Sequence, residues 1–259
     1  MRKKLGFLYR MKLTFSEPVR DHYFALRCVP MDHENQKIQI TSRYVQPTDC
    51  LNQVVDGFGN QKYVGHYFDA HKKFEYEVAG IATVDGMRVI HEELHPMYKY
   101  PSDCTRWGES LQKLKEEIGP LKGEPLERAI GIMKTLHQYF PYQSGCTGVD
   151  TTAEEALRIG AGVCQDYAHI MIALCRDAGI PARYVNGMMI GEGATHAWVE
   201  VYTGEGWYGL DPTNDLHVDG YYIKLAHGRD YKDCVVDKGR FLGNAAQKQE
   251  IYVNVEELA

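Results

Sequence analysis

One cysteine of the 259-residue chain stands where a glycine-rich loop meets an apolar run with helical spacing. The stretch "GAGVCQDYAHIMIALCRDAGIPARYV" covers residues 160–185, and Cys164 opens its predicted helix. A helix start presents unpaired backbone N–H groups and the positive end of the helix dipole, which stabilise a thiolate, the reactive form of cysteine. The N–H of Cys164 can also face a developing oxyanion. A thiol in this position is more often structural, so the nucleophile hypothesis needs partners elsewhere in the chain.

A nucleophilic cysteine needs a base, usually histidine, and the histidine needs a group that orients it. His169 lies five residues beyond Cys164 and is turned away around the same helix, so it is a poor partner. His196 opens the alternating stretch "HAWVEVY", in which it shares one face of a predicted strand with Trp198 and Glu200. We therefore predict His196 as the base. A metal site built from Cys164, His169 and His196 is the alternative.

A predicted hairpin supplies the third group. If the turn in "YTGEG" pivots between residues 203 and 204, His196 faces Asp211, and Gly209 faces Trp198 and leaves room for its indole. Opposed residues project from the same face, which lets the carboxylate bond the imidazole Nδ1. A slip of one residue would remove this pairing. An interfacial histidine and an Asp–Pro turn are the structural alternatives, but together the three residues predict a Cys164–His196–Asp211 triad.

The surrounding patterns predict an α+β protein in two parts. Residues 1–97 contain short runs rich in Val, Ile, Tyr and Phe, separated by turn residues, which is typical of an all-β sandwich. Residues 98–259 form the second part, in which helical patterns precede strand patterns. Its central helix, which begins at Cys164, is apolar over most of its circumference and is expected to be buried. This order gives a helix packed on an antiparallel sheet.

Composition excludes several classes of protein. Apolar residues make up 44% and charged residues 25% of the chain, which is typical of a soluble globular protein. The net charge of −6 gives no footprint for nucleic acid. Seven cysteines without a CxxC motif argue against a disulfide framework and a four-thiolate zinc site. The start "MRKKLGFLYRMKL" is too short and too interrupted for a signal or a membrane span. We expect a cytoplasmic protein with no membrane contact, no metal and no cofactor.

Four motifs in order resemble the bacterial transglutaminase-like proteins, often described as putative cysteine proteases. They are "GVCQDYAHIMIALCRDAGIPARYV", "THAWVEVY", "GWYGLDPTN" and "GRDYKD", and the N-terminal β region resembles the sandwich domain that accompanies them. The resemblance implies a papain-like α+β fold with Cys164 as nucleophile, His196 as general base and Asp211 as orienting group. It departs from animal transglutaminases, in which a tryptophan follows the cysteine, whereas Gln165 does so here.

Three further residues are predicted near the reacting atoms. Tyr142 and Gln165 are candidates for a second oxyanion donor, although a core tyrosine and a solvated glutamine are equally consistent. Trp198 is a candidate for the substrate cleft. In "GRDYKD", Arg229 or Asp230 supports the site or forms a surface ion pair.

The expected reaction is hydrolysis of a peptide or other amide through a thioester on Cys164. Transamidation by the same residues and a non-catalytic binding module are the alternatives. The expected partner is a peptide or amide substrate.

Overall fold

A computed structural model describes residues 2–86 and 89–259, and it contains the predicted mixture of helices and antiparallel sheets. The α+β fold with a central helix is confirmed. Within the described residues the helices are α1 (Glu109–Ile118), α2 (Pro125–Tyr139), α3 (Ala153–Ile159) and α4 (Cys164–Asp177). The strands are β1 (Arg2–Leu26), β2 (Gln36–Gln46), β3 (Cys50–Val55), β4 (Gln61–Tyr67), β5 (His71–Asp85), β6 (Ala182–Met189), β7 (Gly191–Gly193), β8 (His196–Tyr202), β9 (Trp207–Asp211), β10 (Leu216–His217), β11 (Tyr222–Gly228), β12 (Asp237–Leu242) and β13 (Gln247–Glu257).

The N-terminal sheet is organised around β1. The first half of this strand pairs with β5 and β13, and the second half pairs with β4 and β12. Alternate residues of β1, such as Leu5, Phe7 and Tyr9, are buried while their neighbours are more exposed, which is the pattern of a strand covered on one face. Their side chains belong to a core that includes residues from both halves of β1.

The last two strands return to this N-terminal sheet. Residues 237–257, predicted to belong to the second part, form β12 and β13 and pair with β1. The pairing of β13 runs from Leu5↔Glu257 to Phe15↔Gln247. Strand pairing over such a sequence separation is set by burial of shared apolar faces, which the local pattern of either strand does not reveal. The division of the chain at residue 97 stays a prediction.

The second sheet has the order β10-β9-β8-β6-β11 and carries α4 on one face. Ala197, Val199 and Val201 of β8 pack in the core that contains α4, as the alternation predicts. From Asp166 to Arg176 every residue of α4 is buried, which explains why its sequence is apolar on nearly all sides. Met188 of β6 and Ile223 and Leu225 of β11 join the core of the N-terminal sheet.

The ends of two helices coincide with residue types that favour helix ends. Pro125 is the first residue of α2, and Thr152 caps α3 by accepting a hydrogen bond from the N–H of Glu155 at 3.2 Å. Gly160 ends α3 in the left-handed conformation, at φ 86°. In the part of the chain that the structure describes, none of the helices has the length and apolarity to cross a membrane.

Candidate active site

Cys164 is the first residue of α4 and is partly exposed. Its helix begins there because Val163 is extended and because Asp166, in the first turn, accepts the N–H of Val163 at 2.8 Å. This carboxylate replaces the missing intrahelical partner of that amide and favours the positive end of the helix. Thr147 donates a second hydrogen bond to Asp166 at 2.7 Å. Asp166 therefore fixes the position of the thiol and of the preceding loop.

The loop before Cys164 is held close to the chain at residues 141–143. Gly162 accepts a hydrogen bond from the N–H of Gln143 at 2.8 Å and donates to the carbonyl of Pro141 at 3.2 Å. A Cβ atom at position 162 would lie 2.5 Å from Asp166 Oδ2, which is too close for any side chain. Glycine at this position is therefore needed so that the carboxylate of Asp166 can reach the backbone at the start of the helix.

His196 and Asp211 lie within hydrogen-bonding distance. His196 Nε2 is 2.8 Å from Asp211 Oδ2, and the two side chains are 11% and 0% exposed. The prediction that the carboxylate would bond Nδ1 is wrong, because the Nε2 side of the ring faces Asp211. The other ring nitrogen of His196, Nδ1, is therefore available to interact with Cys164. The neighbouring Cys164 side chain is close enough to raise the pKa of His196.

The charges of this pair reinforce each other. Burial by itself lowers the pKa of His196, but the hydrogen bond with Asp211 and the neighbouring Cys164 side chain raise it to about 10. Burial by itself raises the pKa of Asp211, but the hydrogen bonds from His196, Asn214 and Tyr222 outweigh it and lower the pKa. At neutral pH the site therefore holds an imidazolium against a carboxylate.

The register of the hairpin differs by two residues from the predicted one. Glu200 pairs with Gly209, and the turn is a four-residue loop over 203–206 closed by a backbone hydrogen bond of 2.9 Å. The prediction had placed a two-residue turn there. Because side chains alternate with a period of two, a shift by two leaves His196 on the same face of the sheet. It reaches Asp211 diagonally instead of from the opposite position.

Trp198 lies behind the imidazole. Its side chain is 1% exposed, and its ring is stacked against His196 at 6.5 Å between centroids, so it supports the imidazole from behind. Its part in a substrate cleft stays a prediction. The space for its indole comes from Gly187, where a Cβ would lie 2.3 Å from the ring, and not from Gly209. A Cβ at Gly209 would instead meet Val218 at 2.6 Å. This exchange follows from the two-residue difference in register.

Tyr222 and Asn214 complete the surroundings of Asp211 and were not predicted. The hydroxyl of Tyr222 donates to Asp211 Oδ2 at 2.9 Å, and the amide of Asn214 donates to the same oxygen at 2.8 Å. The other oxygen accepts the N–H groups of Thr213 and Asn214 at 3.0 and 3.3 Å. The "DPTN" turn is a sequence signal for these backbone contacts. Tyr222 carries no such signal, because it lies on β11 and reaches Asp211 across the sheet.

The two candidate oxyanion donors behave differently. Gln165 directs its side-chain amide to the carbonyls of Gly148 and Val149 at 3.4 and 3.2 Å, so that amide holds the neighbouring loop. Tyr142 is 60% exposed, and burial together with the nearby Cys164 raises its pKa. Of the two, Tyr142 is therefore the exposed side chain near Cys164, and its role as an oxyanion donor stays a prediction.

Other predicted polar residues have structural partners. His169 is buried and accepts the N–H of Tyr231 at 3.1 Å, and burial lowers its pKa to about 4. Arg229 forms an ion pair with Asp233 at 2.9 Å, while Asp230 accepts the N–H of Cys104 at 3.1 Å. These contacts join the "GRDYKD" segment to its own turn and to the start of the second part. Among residues 2–86 and 89–259, no three His, Cys, Asp or Glu side chains are grouped to hold a metal ion.

Comparison with protein families matches both parts of the chain. Residues 112–212 match the model of the transglutaminase-like superfamily, and residues 7–83 match the bacterial transglutaminase-like N-terminal region. The chain contains a transglutaminase-like domain preceded by a bacterial transglutaminase-like N-terminal region. The first match contains Cys164, His196 and Asp211. The resemblance read from the four sequence motifs is thus confirmed.

Individual relatives agree with these two matches. The transglutaminase-like chain is 36% identical over 146 residues to an uncharacterized protein of Mycobacterium leprae, covering 52% of each chain. It is 44% identical over 130 residues to an uncharacterized protein of Mycobacterium tuberculosis, covering 44% of this chain and 41% of the relative. The chain thus spans about half the length of these relatives. A protein-glutamine gamma-glutamyltransferase of Pseudomonas aeruginosa is 29% identical over 116 residues, covering 39% of this chain and 17% of the relative.

A solved structure shares the whole fold of this transglutaminase-like chain. The crystal structure of a "Putative Cysteine Protease" from Cytophaga hutchinsonii has a TM-score of 0.81 and 23% sequence identity, and covers 100% of this chain and 92% of the other. At this level of identity the likeness concerns the fold. The N-terminal sheet and the helix-on-sheet core therefore occur together in that protein as well.

Proposed function

We propose that the protein is a cysteine-dependent enzyme that hydrolyses an amide bond through a thioester on Cys164. The observation that carries this proposal is the buried His196–Asp211 pair, held by five hydrogen bonds on the carboxylate, beside a thiol at the start of α4. So many donors on one carboxylate exceed what a turn-starting aspartate needs. They fix the orientation and the charge of one imidazole.

The reaction follows from these positions. The thiolate of Cys164 attacks the amide carbonyl, and the backbone N–H of Cys164 donates to the oxyanion that forms. As the C–N bond breaks, the imidazolium of His196 gives its proton to the leaving amine. A water molecule then attacks the thioester, passes a proton to His196, and releases the carboxylic acid and the Cys164 thiolate. Asp211 stabilises the imidazolium throughout.

Transamidation is the second candidate, and the gamma-glutamyltransferase relative favours it. The thioester is the same in both reactions, and only the second nucleophile differs. A primary amine that reaches the thioester gives a new amide, whereas water gives an acid. The two outcomes are separated by incubating glutamine-containing peptides with a labelled primary amine and measuring acid and conjugate by mass spectrometry. Conjugate as the main product in water would reject the hydrolase proposal.

A matched cysteine is available as a control. Cys50 is also partly exposed and has a histidine beside it, His66 Nδ1 at 3.2 Å, but it lies on β3 and not at a helix start. We expect Cys164→Ala to abolish amide cleavage and to remove the trapped acyl-enzyme, whereas Cys50→Ala keeps both.

Alkylation by iodoacetamide below neutral pH provides an assay that needs no substrate. We expect Cys164 to react faster than Cys50 in the wild type, and His196→Ala to remove the difference. Equal rates for the two thiols, together with an inactive wild type, would indicate a binding module on a catalytic fold.

A further inference from the structure

A cavity of about 140 Å³ lies inside the N-terminal sheet, apart from Cys164. It forms where β1 changes partners, because the register with β5 shifts between Thr14 and Val19 and the register with β12 shifts between Arg20 and Tyr23. Such interruptions bend a strand and leave space beside it. One side of the lining is apolar and consists of Met11, Leu13, Phe24, Leu26, Phe74 and Phe241. The other side is polar and consists of His22, Asp237, Lys238, Gly239, Gln247 and Gln249.

One buried imidazole faces this apolar space. His22 is 2% exposed and lines the cavity, and four phenylalanine rings surround it at 4.8–6.1 Å between centroids. Burial, together with the nearby ring of His71, lowers the pKa of His22 to about 4. The ring is therefore neutral at pH 7, with one nitrogen that donates and one that accepts.

A chain of hydrogen bonds determines which nitrogen of His22 accepts. The carbonyl of Asp69 can only accept, so His71 Nδ1, at 3.0 Å from it, carries the hydrogen. In the tautomer of His71 that carries its hydrogen on Nδ1, the Nε2 atom is an acceptor, and His22 Nδ1 donates to it at 3.1 Å. His22 Nε2 is then left without a hydrogen, as an acceptor.

The strand opposite His22 leaves this acceptor uncovered. Gly239 of β12 also lines the cavity, and a Cβ atom there would lie 2.9 Å from His22 Nε2. A second acceptor lies nearby in the lining, the carboxyl group of Asp237, to which Gln249 donates. His22 Nε2 and Asp237 are therefore acceptors at the edge of an aromatic space, and Lys238, Gln247 and Gln249 complete the polar side of the lining. Such a site complements a molecule with an apolar ring and one hydrogen-bond donor.

We propose that this cavity binds a small neutral aromatic alcohol of the phenol class, with its ring among the phenylalanines and its hydroxyl donating to His22 Nε2. The size is appropriate, since a cavity of about 150 Å³ is enough to hold benzene. The edge-on rings around His22 provide the contacts that aromatic molecules prefer. The site is separate from the proposed thioester chemistry.

The test compares phenol with toluene, which has the same shape and lacks the donor. Each compound is titrated into protein with ¹³C-labelled methionine methyl groups, and the signal of Met11 is followed by NMR. We expect saturable shifts with phenol, and a Kd for phenol at least tenfold below that for toluene. Toluene is the more apolar of the two, so equal or tighter binding of toluene, or no saturable binding of phenol, would overturn the proposal.

A variant tests the position of the hydroxyl group. Gly239→Ala places a methyl group against His22 Nε2 and is expected to weaken phenol at least tenfold. Gly193→Ala, on β7, has no atom within 4 Å of the new Cβ and serves as the control that keeps binding. Unchanged phenol affinity in folded Gly239→Ala would reject the site, and if that variant does not fold, the phenol–toluene comparison in the wild type decides. Cys164→Ala is expected to bind phenol normally, which separates this result from that of the catalytic assay.

Discussion

Replacement of Tyr222 by phenylalanine is the sharpest test of how the candidate site is held. Tyr222 is 5% exposed, and its hydroxyl donates at 2.9 Å to the oxygen of Asp211 that also accepts from His196. Its ring packs edge-on against Trp198 at 5.4 Å, and Phe can keep this contact. The change therefore removes one hydrogen bond and little else. The phenyl ring has no polar atom, so the substitution introduces no new group that would need a hydrogen-bond partner.

The magnitude follows from the charge on the acceptor. A hydrogen bond to a charged group contributes roughly 1.5–3 kcal/mol, against about 1 kcal/mol for a neutral pair. Asp211 Oδ2 keeps two other donors, from His196 and Asn214, so we expect the lower end of that range as the loss in the free energy of unfolding. If that amount is also lost from the transition state, kcat falls about tenfold. KM should change little, because Tyr222 acts through Asp211 and does not lie against the substrate.

The neighbouring residue supplies the matched control. Tyr221 also donates its hydroxyl to a carboxylate, Glu257 at 3.0 Å, but that pair is exposed. Exposed charged contacts contribute little because solvent screens them, so Tyr221→Phe should leave kcat unchanged and stability nearly so. Urea unfolding and steady-state amide cleavage of both variants provide the measurements. Equal effects of the two substitutions on kcat would refute the assignment of Tyr222 as a positioning residue, even if Tyr222→Phe were the less stable protein.

Three further outcomes follow from the site. Asp211→Asn should lower kcat by about 10³–10⁴. It should also destabilise the fold, because each Asp211 oxygen accepts hydrogen bonds from at least two donors and an amide nitrogen cannot accept any. Amide cleavage and urea unfolding measure the two effects, and a stable, active variant would contradict the prediction. Gly162→Ala should reduce activity and lower the free energy of unfolding by about 1–3 kcal/mol, because the new Cβ would lie 2.5 Å from Asp166 Oδ2. In the same assays Gly148→Ala should have no effect, because no atom lies within 4 Å of its new Cβ. The pKa of His196 is raised from 6.5 to about 10, so its charge stabilises the folded state fully below pH 6.5, and this contribution is lost as pH rises through about 10. The difference in unfolding free energy between wild type and His196→Ala should therefore shrink between these two pH values. A constant difference would contradict the positive charge assigned to His196.

Local signals in the sequence were sufficient for the thiol side of the site. The start of α4 at Cys164 follows from the glycines before it and the acidic residue in its first turn, and both act within four residues of the thiol. The end of α3 at Gly160 is equally local. Such contacts form between residues that are close in the sequence, so the local sequence pattern predicts them.

The parts that were not predicted depend on distant segments. The hydroxyl of Tyr222 reaches Asp211 from β11, two strands beyond β8 in the sheet. The strands of residues 237–257 complete a sheet begun at residue 2. No local pattern specifies such neighbours, because alternation fixes which face of a strand is buried and leaves the identity of its partner open.

The hairpin shows why the predicted pair met despite a wrong register. The segment "YTGEGW" offers glycine at 204 and at 206, and the structure uses a four-residue loop with Gly204 at φ 97°. A two-residue change in register moves a partner by about 7 Å along the strand but keeps every side chain on its face. The long imidazole of His196 spans the diagonal, so the pair with Asp211 survives. Shorter side chains lack this reach, and the space for Trp198 had to come from a different glycine. For a functional pair on a hairpin, the sequence therefore predicts reliably which face of the sheet each side chain occupies. The two residues need to be directly opposite each other only when both side chains are short.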